Sequence, residues 1–271
     1  MNGASREALA AARERLDALT DSTSVDAGTL AGDLAAVTAL LHREVSLRRV
    51  LTDPAQAGEA KADLVRRLLG SQVGGPALDL VSGLVRSRWS QSRDLVDALE
   101  ELANLADLTA AQRSDALDDV EDELFRFGRI ISSSTGLRAA LTDRKATTAA
   151  KTELLHRLLG GRAKAVTERL VIRLVTAPRG RSLESGLESL SRLAAERRDR
   201  MVAVVTSAVP LSDPQKQRLG AALAKLYGRR MHLNLDVDPE VVGGVRVQVG
   251  DEVINGSLAD RIEDAGRRLA S

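Results

Sequence analysis

Three histidines, a run of hydroxyls, an acidic run and one glycine-rich stretch are the residues whose types and spacing could do chemistry. His42, His156 and His232 fall in three different predicted elements. None has a second histidine at the spacing a metal site needs, so packed or exposed histidines are expected. Ser132, Ser133, Ser134 and Thr135 would supply a nucleophile only with a base beside them, and no histidine is near in sequence. A polar loop joining two helices accounts for them. The run "DALDDVEDE", Asp115 to Glu123, lacks the glycine turn and alternating ligands of a calcium loop and reads as a solvated helix face. The richest stretch is "VVGGVRVQVGDEVINGSLADRI", residues 241–262. Asp251 follows Gly250 where a phosphate loop needs Lys then Ser or Thr. The run also forms an antiparallel turn rather than the strand-to-helix crossover of a dinucleotide site. Gly250-Asp251 suits a type II′ hairpin turn. Asn255-Gly256 makes the exit turn, Ser257 with Asp260 resembles a capping box, and Gly243-Gly244 allow a bulge or close backbone approach. No catalytic residue, cofactor or metal is expected, and an enzyme would need a polar pocket around Asp251 and Arg246.

Composition narrows the partners. The chain has 271 residues, no cysteine, 39 basic against 38 acidic residues, and only Trp89, Phe125, Phe127 and Tyr227 as aromatics. Disulfides, thiolate sites and cysteine nucleophiles are excluded together. A balanced charge and so few stacking rings argue against nucleic acid. No apolar run reaches the roughly 18 residues of a membrane span, and no leader pattern opens the chain, so no bilayer insertion or export is expected.

The elements that must position these residues arise from a duplication. Shifted by 90 residues, "SLRRVLTDPAQAGEAKADLVRRLLG" falls on "GLRAALTDRKATTAAKTELLHRLLG", and from Leu47/Leu137 to Val85/Val175 16 of 39 positions are identical without a gap. The unit is domain-sized, longer than a solenoid repeat. Leu30, Leu34, Val37, Leu40 and Leu41 share one helical face. Asp53 and Pro54 are expected to open a helix whose buried stripe is Leu64, Leu68 and Leu69 and whose stop is Gly70. Leu154, Leu155, Leu158, Leu159 and Gly160 repeat it. Each copy is expected to pack as a bundle of five or six helices.

After about residue 200 the period changes. "MVAVVTSAVPLS" reads as a strand, Ser212 or Asp213 caps a helix with Leu219, Leu223 and Leu226 on one face, and Gly228 ends it. "MHLNLDV" alternates as a half-buried strand, and Val245, Val247 and Val249 share one face against Arg246 and Gln248. The expected fold is α+β: a duplicated N-terminal α-helical bundle, residues 1–110 and 111–200, then a small C-terminal α/β domain with a short mixed sheet, residues 201–271.

The chain's end resembles the delta subunit of bacterial F-type ATP synthases, the family that includes the mitochondrial oligomycin-sensitivity-conferring protein. The pattern is Met231, Leu233, Val237, Asp238, Val241, Gly243-Gly244, Val245, Val247, Gly250-Asp251 and Gly256-Ser257. The upstream strand–helix–strand and the Leu-Leu-Gly helix stops are similar too. The resemblance implies a non-catalytic peripheral-stalk (stator) subunit, without cofactors, at the cytoplasmic face of the bacterial membrane. The helical domain would hold N-terminal segments of the alpha subunits and the C-terminal domain the end of the b subunit, so that proton-driven rotation is coupled to ATP synthesis. A cytosolic helical adaptor unrelated to the synthase would share the duplication but not the C-terminal pattern.

Two departures stand out. Removing one copy leaves about 181 residues, near the usual family size. The second copy keeps Gly180-Arg181, resembling the family, where the first has "RSRWSQSRDL". The first helix also lacks the family's aromatic residues. The alpha-binding groove is therefore expected at Leu9, Ala12, Leu16, Val81, Leu84 and Val85 in the first copy, or at Leu99, Val171, Leu174 and Val175 in the second.

Overall fold

A computed structural model describes residues 2–21, 25–198, 201–227, 231–239, 241, 244–249 and 252–255. The chain divides into two compact units, Met1–Arg197 and Arg198–Ser271.

In the first unit the 90-residue period is visible in the backbone. It contains α1 (Gly3–Asp21), α2 (Ala27–Arg43), α3 (Val45–Thr52), α4 (Gly58–Leu69), α5 (Gly75–Arg86) and α6 (Ser92–Arg113). There follow α7 (Leu117–Ser133), α8 (Thr135–Thr142), α9 (Thr148–Leu159), α10 (Ala165–Thr176) and α11 (Leu183–Arg198). Helices α7 to α10 start and stop at the positions of α2 to α5 plus 90. Helix α1 shifted by 90 falls inside α6, and α6 shifted by 90 falls on α11. One helix thus closes the first copy and opens the second, and the expected division near residue 110 lies within it. From Thr109 the chain stays helical to Arg113. Helix α6 ends there, and Asp115 turns the chain with φ 53° before α7. A single hydrophobic core runs through both copies, with Leu34, Leu41, Leu51, Leu99 and Leu102 beside Leu124, Ile131, Leu141 and Leu155.

Local chemistry repeats as well. The Asp53 carboxylate accepts the Ala55 N–H at 2.9 Å, and Asp143 accepts that of Lys145 at 2.8 Å. Asp53 and Pro54 therefore build an Asx turn, and α4 begins only at Gly58, because the side chain satisfies a donor two residues on rather than a helix end. The buried stripe of α4 is Ala62, Val65 and Leu69, while Leu68 is exposed and Leu64 half-buried. In α9 only Leu155 is buried, with Leu154, Leu158 and Leu159 at the margin. Gly70 and Gly160 stop their helices without a left-handed turn. A Cβ there would stand 2.5 Å from the carbonyl oxygen of Arg66 or His156, so a close approach demands glycine. Asp33 of α2 accepts the Gly74 N–H at 2.8 Å at the start of α5, and Glu123 of α7 accepts the Lys164 N–H at 2.9 Å at the start of α10. These are remote caps for helices that lack their own.

The second unit is a four-stranded mixed sheet. Strand β1 (Met201–Ser207) pairs parallel with β2 (Met231–Val237) and antiparallel with β3 (Val245–Val249), which pairs antiparallel with β4 (Glu252–Asn255), in the order β2-β1-β3-β4. Helix α12 (Asp213–Tyr227) connects the parallel pair. Gln215 reaches back to accept the Ser212 N–H at 2.8 Å. Val205, Leu223, Val247 and Val249 are the core, with Leu219, Tyr227 and Leu233 against it. Arg246 and Gln248 face solvent, as their alternation requires. Leu226 is exposed and Tyr227 packs in its place, four residues after Leu223 and closer to its face than a three-residue step.

Candidate functional site

The residues able to do chemistry are mostly held in structural roles. His42 is exposed, and His156 places Nδ1 2.5 Å from the Glu168 carboxylate. The hydroxyl run is not a loop: Ser132 and Ser133 end α7, Thr135 begins α8, and between them the Ser134 hydroxyl accepts the Leu137 N–H at 3.3 Å as the cap of α8. In the acidic run, Leu117, Val120 and Leu124 turn inward and the aspartates outward, apart from the capping Glu123. Among the described residues, no group of three His, Asp or Glu could hold a metal ion.

Of the C-terminal pattern, Met231, Leu233, Val237, Asp238, Val241, Gly244, Val245 and Val247 are described. The Asp238 N–H donates to the Ser207 carbonyl at 3.0 Å, prolonging the β1–β2 pair, and its carbonyl accepts the Val241 N–H at 3.1 Å. Gly244 has φ 89° immediately before β3, a conformation that disfavours any side chain. Val249 stands opposite Glu252 across the hairpin. Gly243, Gly250, Asp251, Gly256 and Ser257 lie outside the described residues, as do Gly228 and the capping box.

The groove residues expected from the sequence sit mostly in the core. Leu16, Val81 and Val85 are buried, Leu9 is half-buried, and Ala12 and Leu84 alone of that set reach an open cleft between α1 and α5. The cleft has a volume of about 270 Å³ and is lined by Ala8, Ala11 and Ala12 from α1 and Leu80, Gly83 and Leu84 from α5. Arg15 crosses one side to Asp79 at 2.8 Å, a bond that raises the guanidinium's pKa. A Cβ at Gly83 would meet nothing within 4 Å. The cleft is a shallow, mostly apolar trough with charge only at its rim.

The matching place between α6 and α10 is charged rather than apolar. Leu99, Val171 and Val175 are buried, and Leu174 borders a cavity of about 440 Å³ whose lining is chiefly charged. Arg173 stands 90 residues after Gly83 and binds the Asn104 side-chain oxygen at 2.5 Å and Asp107 at 2.8 Å. Arg169 donates to the same Asp107 carboxylate at 2.7 and 2.9 Å. Gly180, with φ 83°, turns the chain so that Arg181 makes bonds of 2.6 and 2.8 Å to Glu100. Arg179 also pairs with Glu100, and with Asp97 at 3.1 Å. Burial pulls the Arg179 pKa down to about 10, with Asp97 opposing. In the first copy Trp89 replaces Arg179, donating its indole N–H to the Leu84 carbonyl at 2.8 Å. Reading the sequence for apolar grooves missed Gly83, Arg173 and Glu100. The signal was available where the 90-residue shift sets glycine over arginine.

The comparisons with known proteins agree with this architecture. A family model described as ATP synthase delta (OSCP) subunit matches residues 105–269, from the end of α6 through the second copy and the C-terminal unit. The ATP synthase subunit delta of Streptomyces coelicolor is 84% identical over 271 residues, covering 100% of this chain and 99% of that protein. That of Kineococcus radiotolerans is 48% identical over 268 residues, covering 99% and 97%. Both relatives span the first copy too, so the duplication is shared with them. With more than half of the chain inside the family model and whole-length relatives at this identity, the chain belongs to the ATP synthase delta (OSCP) subunit family.

Proposed function

We propose that this chain is a non-catalytic peripheral-stalk subunit that ties the head of an F-type ATP synthase to its stator. The α1/α5 cleft holds an N-terminal segment of an alpha subunit, and the unit after Arg197 holds the C-terminal segment of b. The observation that carries this reading is the family match, which spans 61% of the chain, joined to relatives that align over all of it. The subunit works at the cytoplasmic face of a bacterial membrane, within the complex. Among its described residues no helix is long and apolar enough to cross a membrane.

The choice between copies rests on chemistry. A partner helix docks by laying an apolar stripe into an apolar trough. The α1/α5 cleft offers Ala8, Ala12 and Leu84 with empty space above Gly83. The α6/α10 place would force the same stripe onto Arg173, Asp107 and Glu100, displacing ion pairs that already satisfy one another. Held at both ends, the head cannot turn with the central shaft, and rotation driven by protons is converted into ATP synthesis.

The Gly83→Arg variant tests the assignment by copying Arg173 into the first copy. Arginine is a better helix former than glycine, so the fold should not suffer. Calorimetric affinity for the alpha N-terminal peptide should fall at least about tenfold, while b binding stays unchanged and the thermal midpoint does not fall. Ala11→Arg, on the exposed rim opposite, should do the same. Wild-type alpha affinity in both variants, or joint loss of alpha and b binding with an unchanged midpoint, would overturn the assignment.

A further inference from the structure

The second copy stands open where its counterpart pair, α2 and α6, is closely packed. Between α7 and α11 an open trough of about 980 Å³ runs along α7 from Leu124 to Ser133. At 1.5 Å per residue this is roughly 15 Å, room for about three turns of helix. Leu124 and Leu187 form its floor, and Phe125 and Ile130 stand at its mouth, 60% and 50% exposed. Two such side chains on one trough differ from scattered surface leucines and mark a contact surface.

Charge says what fits there. Arg126 and Arg129 line the α7 wall, and Glu184 and Glu188 line the α11 wall. Arg126 already pairs with Asp122 and Glu184 with Arg138, but Arg129 and Glu188 have no ion-pair partner among the described residues. We propose that the α7/α11 cleft is a docking site for one amphipathic helix of another subunit of the complex. That helix sets an apolar stripe against Phe125, Ile130 and Leu187, an acidic residue toward Arg129 and a basic residue toward Glu188. Its antiparallel charge edges fix direction as well as place, because the reversed helix meets like charge on both walls. The site is separate from the α1/α5 cleft and does not depend on what that cleft holds.

The chain has no cysteine, so a single introduced thiol is unique within it. Ser132→Cys, at an exposed position on the cleft, carries a benzophenone maleimide in the assembled synthase. Irradiation should give a cross-link to another subunit, within a segment having apolar residues at i, i+3, i+4 and i+7 and an acid on one flank, as mapped by mass spectrometry. Adding Arg129→Glu should lower the yield severalfold, and changing the captured acid to lysine should restore it. No cross-link, a cross-link within this chain or to a second copy of it, a captured segment without that pattern, or a yield indifferent to Arg129→Glu would each overturn the proposal.

Discussion

The two helical copies share one backbone plan and differ in where they open. In the first copy α2 and α6 make the most extensive interhelix contact of the unit, whereas α7 and α11 make no comparable contact. The two pairs of helices also differ in where their small residues stand. Helix α2 has Ala27, Ala31 and Ala35 where α7 has Leu117, Glu121 and Phe125, and α6 has Ala98, Ala103 and Ala106 where α11 has Glu188, Leu193 and Glu196. Small residues let helix axes approach, and large or charged ones hold them apart. The other cleft differs in chemistry instead, where Gly83 leaves open space and Arg173 crosses to Asn104 and Asp107. A duplicated unit can therefore keep every helix boundary and still present a different surface, because boundaries depend on local capping and clefts on a few volumes.

The largest effect that would break this comparison is in the core. Leu34 and Leu124 are equivalent and both fully buried. Leu34→Ala, between tightly packed helices, should cost about 4 kcal/mol, and Leu124→Ala, beside an open cleft that can relax, about 2 kcal/mol. Urea unfolding measures both, and equal costs would mean that the second copy is packed as tightly as the first. Next, Arg173→Gly should lower stability by about 2 kcal/mol, half from glycine inside a helix and half from the lost bonds to Asn104 and Asp107, with Arg169 still compensating the charge. A thermal midpoint unmoved by Arg173→Gly would show that the ion pairs of the second cleft are not structural.

The smallest effect separates the caps. Asp26 accepts the Thr29 N–H at 2.8 Å, and the Thr29 hydroxyl first, then that N–H, hold its carboxyl below its usual range. The α7 equivalent is Ala116, with no side-chain cap. Because the folded pKa is depressed, the stabilisation is present above the unfolded value and is lost as pH falls through the folded one. Asp26→Ala should cost under about 1 kcal/mol at neutral pH and nothing once the carboxyl is protonated. A cost that persists in acid would show that the capping charge is not its source.

Much of this was legible in the residues. The repeat from Leu47/Leu137 onward, the Leu30–Leu41 stripe and the alternating valines of β3 all predict what the structure contains, because hydrophobic period reports which side of an element is buried. Less legible was which residue of a pair turns inward. Leu68 and Leu226 face solvent while Val65 and Tyr227 do not, a decision made by neighbouring helices and strands rather than by the stripe alone. The groove residues show the same limit. Leu16, Val81 and Val85, expected to line a groove, are buried, because apolar side chains on a helix face are drawn into the core.

By itself, the sequence determined that two 90-residue helical copies precede a small mixed sheet, and that glycines such as Gly244 serve the backbone. Those properties are local: helix caps, alternation and left-handed turns depend on residues a few positions apart. Only the tertiary structure decided that α6 belongs to both copies, that one cleft lies open at Gly83 while at its counterpart Arg173 bonds across to α6, and that α7 and α11 stand apart. These depend on volumes and charges that meet across tens of residues, where a single side chain sets the distance between two helices.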